Sequence, residues 1–258
     1  MDVIISALTQ RTGSTLVQRI FNCRKNTLIW GEHGGIVSEF IRIQDLASHF
    51  STHSEDEKLA FFQNGSDPNQ WTANMTPDVP YIEDAVEQAV KALFNQMYIQ
   101  YRDTHDRIGF KEVRYGRREL MLLQKCYPNA VIILLVRNPI DIWRSETAYW
   151  EGDVEQFGQI WNERAKQYRE LVDELPHAHL IRYEDIVGRN ETTLQLLSKL
   201  ARVSLDEIQQ VLSIRLNSTR SSRPQAEMDQ INHLCKEGMD LFNMSSKGTK
   251  AIRFYKRN

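Results

Sequence analysis

A polar loop near the start of the chain has the residue types that bind a phosphate or a sulfate. It spans residues 9–16, TQRTGSTL, and lies between a short apolar run and a segment with helical spacing. Backbone N–H groups at the start of a helix have no partner within the helix, and together with the helix dipole they attract anions. Gly13 lets the backbone approach an anion closely, while Ser14 and Thr15 supply hydroxyl donors. Arg11 adds a fixed positive charge, so the loop predicts an anion site, the alternative being a polar loop before a capped helix.

The same loop differs from the phosphate-binding loop of kinases and NTPases. That motif, GxxxxGK[ST], needs a lysine directly before its hydroxyl residue. Here Gly13 precedes Ser14, and residues 9–16 contain no lysine. A P-loop kinase or NTPase is therefore the second enzyme class, and magnesium-dependent ATP turnover would favour it.

A second segment with anion-binding potential overlaps the end of the most hydrophobic stretch of the chain. Residues 135–145 read LVRNPIDIWRS, and the apolar run AVIILLV occupies residues 130–136. Ligands of open α/β sheets collect at the carboxyl ends of the strands, where the Arg137 guanidinium can fork onto a phosphate. Pro139 pre-sets a helix entry, and Ser145 lies about two turns further along, where its hydroxyl can face the same anion. The alternative is a strand-to-helix turn with an incidental arginine.

Apolar runs and helical segments alternate along the chain, and this order predicts the architecture. Five short runs are predicted as strands: residues 3–8, 27–30, 107–113, 130–136 and 179–183. Strands that alternate with helices predict an α/β fold with a single doubly wound parallel sheet and helices on both faces. Residues 36–106 are predicted as a largely helical insertion after the second strand, and the chain after residue 217 as polar and irregular. One domain over residues 1–258 is expected, because no linker or repeat is visible.

Composition and charge narrow the classes of protein and partner. A formal net charge of −2 gives no basic footprint for nucleic acid. Cys23, Cys126 and Cys235 lie far apart without a CxxC pair, so a disulfide framework and a metal site are not expected. No apolar stretch approaches the roughly 20 residues of a membrane span, and the run after Met1 is too short for a signal peptide. A cytoplasmic protein is predicted, although a luminal catalytic domain without its anchor has the same features.

Taken together, the motifs resemble those of the sulfotransferase family that uses 3′-phosphoadenosine 5′-phosphosulfate (PAPS). RTGST follows the first predicted strand, RNPIDIWRS follows a central strand, and LIRYEDIV comes later, in that family's order and over most of the chain. The resemblance implies a nucleotide-binding fold like that of P-loop NTPases. It also implies transfer of a sulfuryl group from PAPS to an acceptor hydroxyl or amine, for example on a carbohydrate, a peptide tyrosine or a small metabolite.

The resemblance assigns roles to individual residues. The loop around the 5′-phosphosulfate of PAPS would be formed by Arg11, Thr12, Gly13, Ser14 and Thr15, and the 3′-phosphate would be held by Arg137 and Ser145. For the later motif the match is structural: Tyr183 is expected to end a core strand, and Glu184 and Asp185 are expected to tie down loop backbone.

Sulfuryl transfer, by analogy with phosphoryl transfer, needs positioning, cations and a base. No metal is needed if arginine and lysine supply the charge. Glu32 follows the second strand in a segment similar to that of tyrosylprotein sulfotransferases, and it is the candidate general base. His33 is the rival, because sulfotransferases for phenols and steroids use a histidine, although theirs lies elsewhere in the chain. The structural alternative for Glu32 is a helix-capping carboxylate before Gly34 and Gly35.

Further candidates flank this centre. Lys111, at the end of the third strand, is expected to reach the transferring sulfate or the acceptor, and Arg114 is expected to bind an anionic acceptor. With Glu112, the alternative for both is a surface salt-bridge cluster. Trp71 is a candidate for stacking on a sugar or an aromatic acceptor, although most such aromatics are core residues. Residues 246–250, SKGTK, loosely resemble the family's late basic loop over the nucleotide, with a solvated tail as the favoured alternative.

A third function class is a nucleotide-binding protein of the same fold that has lost its chemistry. The combined presence of Arg11, Ser14, Glu32, Arg137 and Ser145 argues against that loss. Many sulfotransferases associate, so a homo-oligomer is an open prediction.

Overall fold

Five parallel strands form the sheet at the centre of the molecule, in the order β2-β3-β1-β4-β5. The computed structural model describes residues 1–145, 153–214 and 223–246. The strands are β1 (Val3–Ala7), β2 (Thr27–Trp30), β3 (Arg107–Glu112), β4 (Val131–Val136) and β5 (Ala178–Arg182). Each lies within one residue of its predicted bounds, and the predicted α/β class with a doubly wound parallel sheet is confirmed.

Helices connect these strands and cover both faces of the sheet. Those in the described residues are α1 (Ser14–Asn22), α2 (Ile36–His53), α3 (Glu55–Gln63), α4 (Val79–Tyr98), α5 (Arg117–Cys126), α6 (Pro139–Ser145), α7 (Val154–Glu174), α8 (Tyr183–Val187), α9 (Glu191–Ala201), α10 (Leu205–Ser213), α11 (Gln225–Leu234) and α12 (Lys236–Leu241). A 3-10 turn at Ile99–Tyr101 follows α4. The predicted insertion after β2 is therefore present as α2, α3 and α4. None of the described helices has the length and apolarity to cross a membrane.

Alternate residues of the central strands feed two apolar cores, because successive side chains of a strand point to opposite faces. Ile4 belongs to the core beneath α2, α4, α5 and α7. Val3 and Ile5 belong to the core beneath α1, α9 and α10. All of β1 and nearly all of β4 are buried, which explains why their sequences, VIISA and VIILLV, are almost unbroken apolar runs.

The C-terminal part of the chain differs from the prediction. The prediction that the chain is irregular after residue 217 is wrong for residues 225–241, because they form α11 and α12. Met228, Ile231 and Cys235 are buried, and both helices pack against α7. These residues recur at intervals of three and four, which is a helical stripe within a largely polar segment. Tertiary packing against α7 thus stabilises two helices that the polar composition of this segment does not predict.

Candidate active site

The anion loop, which we define as residues 9–13, turns back on itself at the carboxyl end of β1. The Thr12 hydroxyl donates to the Thr9 carbonyl at 2.7 Å, and the Thr9 N–H donates to that hydroxyl at 3.3 Å. Arg11 and Gly13 have positive φ values of 62° and 100°. α1 begins directly afterwards, and no side chain of the described residues caps its N-terminus. Its first N–H groups therefore remain available to an anion.

Gly13 is a point of close approach between the anion loop and α8. A β-carbon at this position would lie 2.3 Å from Cδ2 of the Tyr183 ring, so a larger residue does not fit. Tyr183 begins α8 and does not end β5, which corrects the expectation that it closes a core strand. Its ring forms one wall of the anion loop.

Replacing Gly13 by alanine is expected to destabilise the protein more than the same change at Gly34. Both glycines have positive φ values, 100° and 69°, and alanine in such a conformation costs about 1–2 kcal/mol. Nothing lies within 4 Å of a β-carbon added at Gly34, whereas at Gly13 the ring of Tyr183 must move. Thermal unfolding of both variants measures the difference. Equal losses of stability would contradict a role for the Tyr183 contact.

Two hydrogen bonds join the anion loop to the segment that follows β4. Arg137, at the end of that strand, donates from Nη1 to the Arg11 carbonyl at 2.6 Å. Arg11 in turn donates from Nε to the Ser145 carbonyl at 2.9 Å, at the end of α6. The Ser145 hydroxyl donates to the Ile142 carbonyl within α6 at 2.8 Å. The two segments that the sequence singles out for anion binding are therefore in direct contact.

The Arg137 guanidinium combines a fixed position with an unused donor. It stacks 4.4 Å from the centre of the Tyr183 ring. Its Nε is buried and has no hydrogen-bond partner among the described residues. Because a buried donor without an acceptor is costly, this atom suits an anionic ligand that the protein itself does not supply.

Glu184 and Asn138 hold the turn after β4. Glu184 Oε1 accepts from the Asn138 N–H at 2.8 Å, as expected for a carboxylate that ties down backbone. The Asn138 side chain donates to the Ser245 carbonyl at 2.8 Å, which fixes the last described part of the chain next to this turn. Burial raises the pKa of Glu184, although the Asn138 N–H and the nearby cation of Arg137 oppose that shift. Glu184 is thus a positioning group for the start of α6.

A chain of four charged side chains lies at the ends of β2 and β3. Lys111 Nζ donates to Glu32 Oε1 at 2.7 Å, and Arg114 Nη1 donates to Glu32 Oε2 at 2.9 Å. Arg114 Nη1 also donates to Glu112 Oε1 at 2.7 Å. Glu112 is fully buried, and its Oε2 accepts from the Gly35 N–H at 2.9 Å. The buried carboxylate therefore fixes the arginine that orients Glu32.

These cations set the protonation of Glu32. Burial raises the pKa of this carboxyl, but the ion pairs with Lys111 and Arg114 together outweigh burial, and the net pKa lies below the usual range. About a third of the Glu32 side chain, 32%, remains exposed to solvent, whereas only 10% of the Lys111 side chain does. Glu32 is therefore an ionised and accessible carboxylate at neutral pH.

The packing of α1 on β2 places Glu32 at the same sheet edge as the start of α1. Gln18 donates to the Ile29 carbonyl at 2.9 Å, which aligns the second turn of α1 with β2. Ser14 lies one turn earlier in the helix, about 5.4 Å along its axis. Glu32 lies three residues beyond Ile29 in the direction of the same edge. Lys111 follows Phe110, which pairs with Trp30 in the sheet, so it also lies at this edge.

The His33 ring lies on the face of the sheet that α2 and α4 cover, whereas α1 covers the other face. Its ring packs edge-on against Phe94 and Phe110, both of which belong to the core beneath α2 and α4. Its Nε2 lies 3.1 Å from the Tyr98 hydroxyl. Burial lowers the pKa of His33, so the ring is neutral at neutral pH. Lys111, on the strand position next to Phe110, points to the other face.

The remaining candidates lie apart from this centre or outside the described residues. Trp71 lies in the segment between α3 and α4, with 71% of its surface exposed. The late basic loop expected at residues 246–250 lies outside the described residues from residue 247 onward.

The sequence did not predict the roles of two residues that shape the site. Glu112 reads as one member of a surface cluster, yet its full burial makes it the anchor of Arg114. Arg164 lies in the middle of α7, where a charged residue on an amphipathic helix carries no functional signal. It donates hydrogen bonds to carbonyls at the ends of both β1 and β3. In the described part of the chain, no group of three or more His, Cys, Asp or Glu residues is arranged to hold a metal ion.

Comparison with known proteins gives the family. The sequence matches the Sulfotransferase family over residues 4–207, and no curated protein matches it. Among solved structures, the sulfotransferase domain from the curacin biosynthetic pathway superposes with a TM-score of 0.53 at 13% identity, over 95% of this chain and 98% of that one. At that identity the likeness concerns the fold alone.

Two further solved structures align over most of this chain. The sulfotransferase domain from the Synechococcus PCC 7002 olefin synthase has a TM-score of 0.46 at 14% identity, over 92% of this chain and 94% of that one. Sulfotransferase STF1 from Mycobacterium tuberculosis H37Rv has a TM-score of 0.49 at 12% identity, over 93% of this chain and 76% of that one. The match over residues 4–207 includes the anion loop, Glu32 and Arg137, and on that match the chain belongs to the sulfotransferase family.

Proposed function

We propose that the protein transfers a sulfuryl group from PAPS to an acceptor hydroxyl, with Glu32 as the general base. The observation that carries the proposal is the contact between the two anion-binding segments. Arg137 bonds the anion loop at Arg11, and Arg11 bonds the end of α6 at Ser145. The ion pair of Glu32 and Lys111 lies at the same sheet edge. Groups that suit a nucleotide with two phosphates and a group that suits proton removal thus lie at one edge of the sheet.

The residues present fit the donor at both of its charged ends. The uncapped N-terminus of α1 and the Arg11 side chain suit the 5′-phosphosulfate. The buried Nε of Arg137, which has no partner among the described residues, suits the 3′-phosphate. The Thr12 hydroxyl is engaged by Thr9, so we assign Thr12 to shaping the loop. Ser14 and Thr15 remain the proposed hydroxyl donors to the 5′-phosphosulfate. The Ser145 hydroxyl donates to the Ile142 carbonyl, so our proposal for Ser145 requires that hydrogen bond to be exchanged for one to the 3′-phosphate.

In the proposed step, the acceptor oxygen bonds to sulfur while the bond from sulfur to the 5′-phosphate oxygen breaks. The products are a sulfate ester and 3′-phosphoadenosine 5′-phosphate (PAP). Glu32 takes the proton of the acceptor hydroxyl, and Lys111 and Arg11 stabilise the charge on the oxygens around sulfur. Lys111 Nζ lies 2.7 Å from Glu32 Oε1, and this contact supports the proposal that one cation serves both the base and the transferring group.

Glu32 is preferred to His33 as the base because of where the two side chains point. Glu32 is partly exposed and ionised beside Lys111, whose side chain points to the face of the sheet that α1 covers. The ring of His33 is enclosed by aromatic side chains on the other face. Arg114 contacts both Glu32 and Glu112, and we propose that it orients the base, in place of the predicted contact with an anionic acceptor.

Titration of PAP into the protein by calorimetry tests the donor assignment, with AMP and with ATP plus magnesium as controls. Micromolar or tighter binding of PAP with much weaker binding of AMP is expected, because only PAP carries a 3′-phosphate. Transfer from labelled PAPS to a panel of carbohydrate, tyrosyl and small-metabolite acceptors then tests the reaction. Stronger binding of ATP with magnesium would favour the kinase class instead, and PAP binding without any transfer would favour a non-catalytic protein.

The acceptor class, a homo-oligomeric state, a cytoplasmic location and a single domain over residues 1–258 stay predictions. Trp71 stays a predicted acceptor contact, and its ring is exposed in the insertion between β2 and β3.

A further inference from the structure

Arg164, in the middle of α7, bridges the two strands that lead into the proposed active site. Its Nη1 donates to the Leu8 carbonyl at 2.6 Å and to the Val113 carbonyl at 3.1 Å. Its Nη2 donates to the Arg114 carbonyl at 3.0 Å. Leu8 directly precedes the anion loop, and Arg114 contacts Glu32. One guanidinium therefore holds the backbone beneath both halves of the site.

The charge of Arg164 is not neutralised as its neighbours' charges are. On the same helix, Lys166 pairs with Glu237, and Arg169 pairs with Asp173. Arg164 bonds three carbonyls, and no carboxylate of the described residues forms an ion pair with it. Its positive charge at the root of the anion loop adds to the potential that attracts an anionic ligand.

Tyr168, one turn further along α7, also links β1 to the segment after β3, but within the buried core. Its hydroxyl lies 2.6 Å from the Ser6 hydroxyl in β1, and it donates to the Tyr115 carbonyl at 3.4 Å. Tyr168 is fully buried. This second bridge lies in the core and away from the anion loop, so it provides a structural comparator for Arg164.

We propose that Arg164 is a positioning residue for sulfuryl transfer. It fixes the spacing between the anion loop, where the donor binds, and the Arg114–Glu32 pair, where the acceptor proton is removed. The three hydrogen bonds of a planar guanidinium give that spacing a definite value, which a single flexible contact does not. This inference rests on the proposed function, and it adds a residue from α7 to a site otherwise built from the sheet edge.

The variant Arg164→Met tests the proposal. Loss of the bridge is expected to lower kcat by about tenfold to hundredfold, since a misplacement of about 1 Å has an effect of that size. PAP affinity is expected to fall about tenfold through the loosened anion loop, and the acceptor KM is expected to change little. The acid limb of the kcat–pH profile is expected to move to higher pH, because Arg114 then holds Glu32 less firmly. Arg164→Lys, which keeps the charge and one or two donors, is expected to recover part of the rate.

Two variants separate positioning from stability. Tyr168→Phe is expected to lower the Tm while leaving the acid limb in place, and Arg169→Met is expected to change neither. Wild-type kcat and PAP affinity in Arg164→Met would overturn the proposal. So would a rate loss that Tyr168→Phe reproduces at the same loss of stability with the acid limb unmoved. If the wild type binds PAP but transfers nothing, the proposed reaction fails by itself, and PAP affinity alone decides on Arg164. If the wild type does not bind PAP, both proposals fail.

Discussion

Replacing Glu32 by glutamine is expected to lower kcat by about 10²–10⁴-fold, the usual contribution of a positioned general base. The amide matches the carboxylate in size, and its oxygen can still accept a hydrogen bond from Lys111 or Arg114, but it cannot take up the acceptor proton. PAP affinity is expected to hold or improve, because the change removes a negative charge beside the donor site. Steady-state transfer from labelled PAPS measures kcat, and calorimetry with PAP measures binding.

A matched control for this change is Glu174→Gln at the end of α7. Glu174 is also a glutamate in an arginine ion pair, accepting from Arg117 Nη1 at 2.8 Å, but it lies on the surface. Its replacement is expected to leave kcat unchanged. His33→Asn is the second comparison, with a small effect expected. A large loss in His33→Asn together with full activity in Glu32→Gln would transfer the role of base to the histidine.

The pH dependence of kcat follows from the cations around Glu32. Burial raises the pKa of Glu32, and the ion pairs with Lys111 and Arg114 lower it by more. The base therefore stays ionised at pH values at which an ordinary carboxyl group becomes protonated. Because the ionised form is the active one, kcat is expected to fall only as the pH drops through this low value. Lys111→Met removes one of the cations, so the acid limb is expected to move to higher pH while the maximal rate falls. An acid limb that stays in place in Lys111→Met would contradict the proposal that Lys111 lowers the pKa of the general base.

The sheet and the positions of the two anion-binding segments were predictable from the sequence because each rests on local signals. Residues 131–136 form an unbroken apolar run, as a strand buried on both faces requires, and Arg137 follows at its end. Parallel topology then brings the ends of different strands to one edge. For that reason, the sequence predicts that the anion loop and Arg137 share one edge, whereas the hydrogen bond from the Arg11 side chain to the Ser145 carbonyl was not predicted.

What the sequence could not supply is the choice among side chains that share one spacing. Glu32 and His33 are adjacent and both follow the end of β2, and only the packing of this segment shows that Glu32 meets Lys111 and Arg114 while His33 packs against aromatic rings. Arg164 and Arg169 both lie on α7, but only the crossing of that helix over β1 and β3 gives Arg164 its three carbonyls. Roles that depend on long-range packing leave no trace in local periodicity.

Arg137→Ala is expected to weaken PAP binding by about tenfold to hundredfold, which is the size of losing hydrogen bonds to a charged group. The loss should be specific to the 3′-phosphate. AMP lacks that group, so its affinity is expected to change far less, and the preference for PAP over AMP should nearly disappear. Arg137→Lys is expected to recover part of the affinity, because lysine keeps the charge without the planar fork.

The difficulty with Arg137→Ala is that Arg137 also supports the protein itself. Its Nη1 bonds the Arg11 carbonyl, and its guanidinium stacks on Tyr183, so the alanine variant loosens the anion loop as well. The ratio of PAP to AMP affinity separates the two roles, since a loosened loop weakens both ligands alike, whereas loss of a 3′-phosphate contact weakens only PAP. Arg118→Ala, which removes an exposed surface pair with Asp45, is the matched control and should leave both affinities unchanged. Equal weakening of PAP and AMP in Arg137→Ala would assign Arg137 to the loop alone and remove it from recognition of the donor.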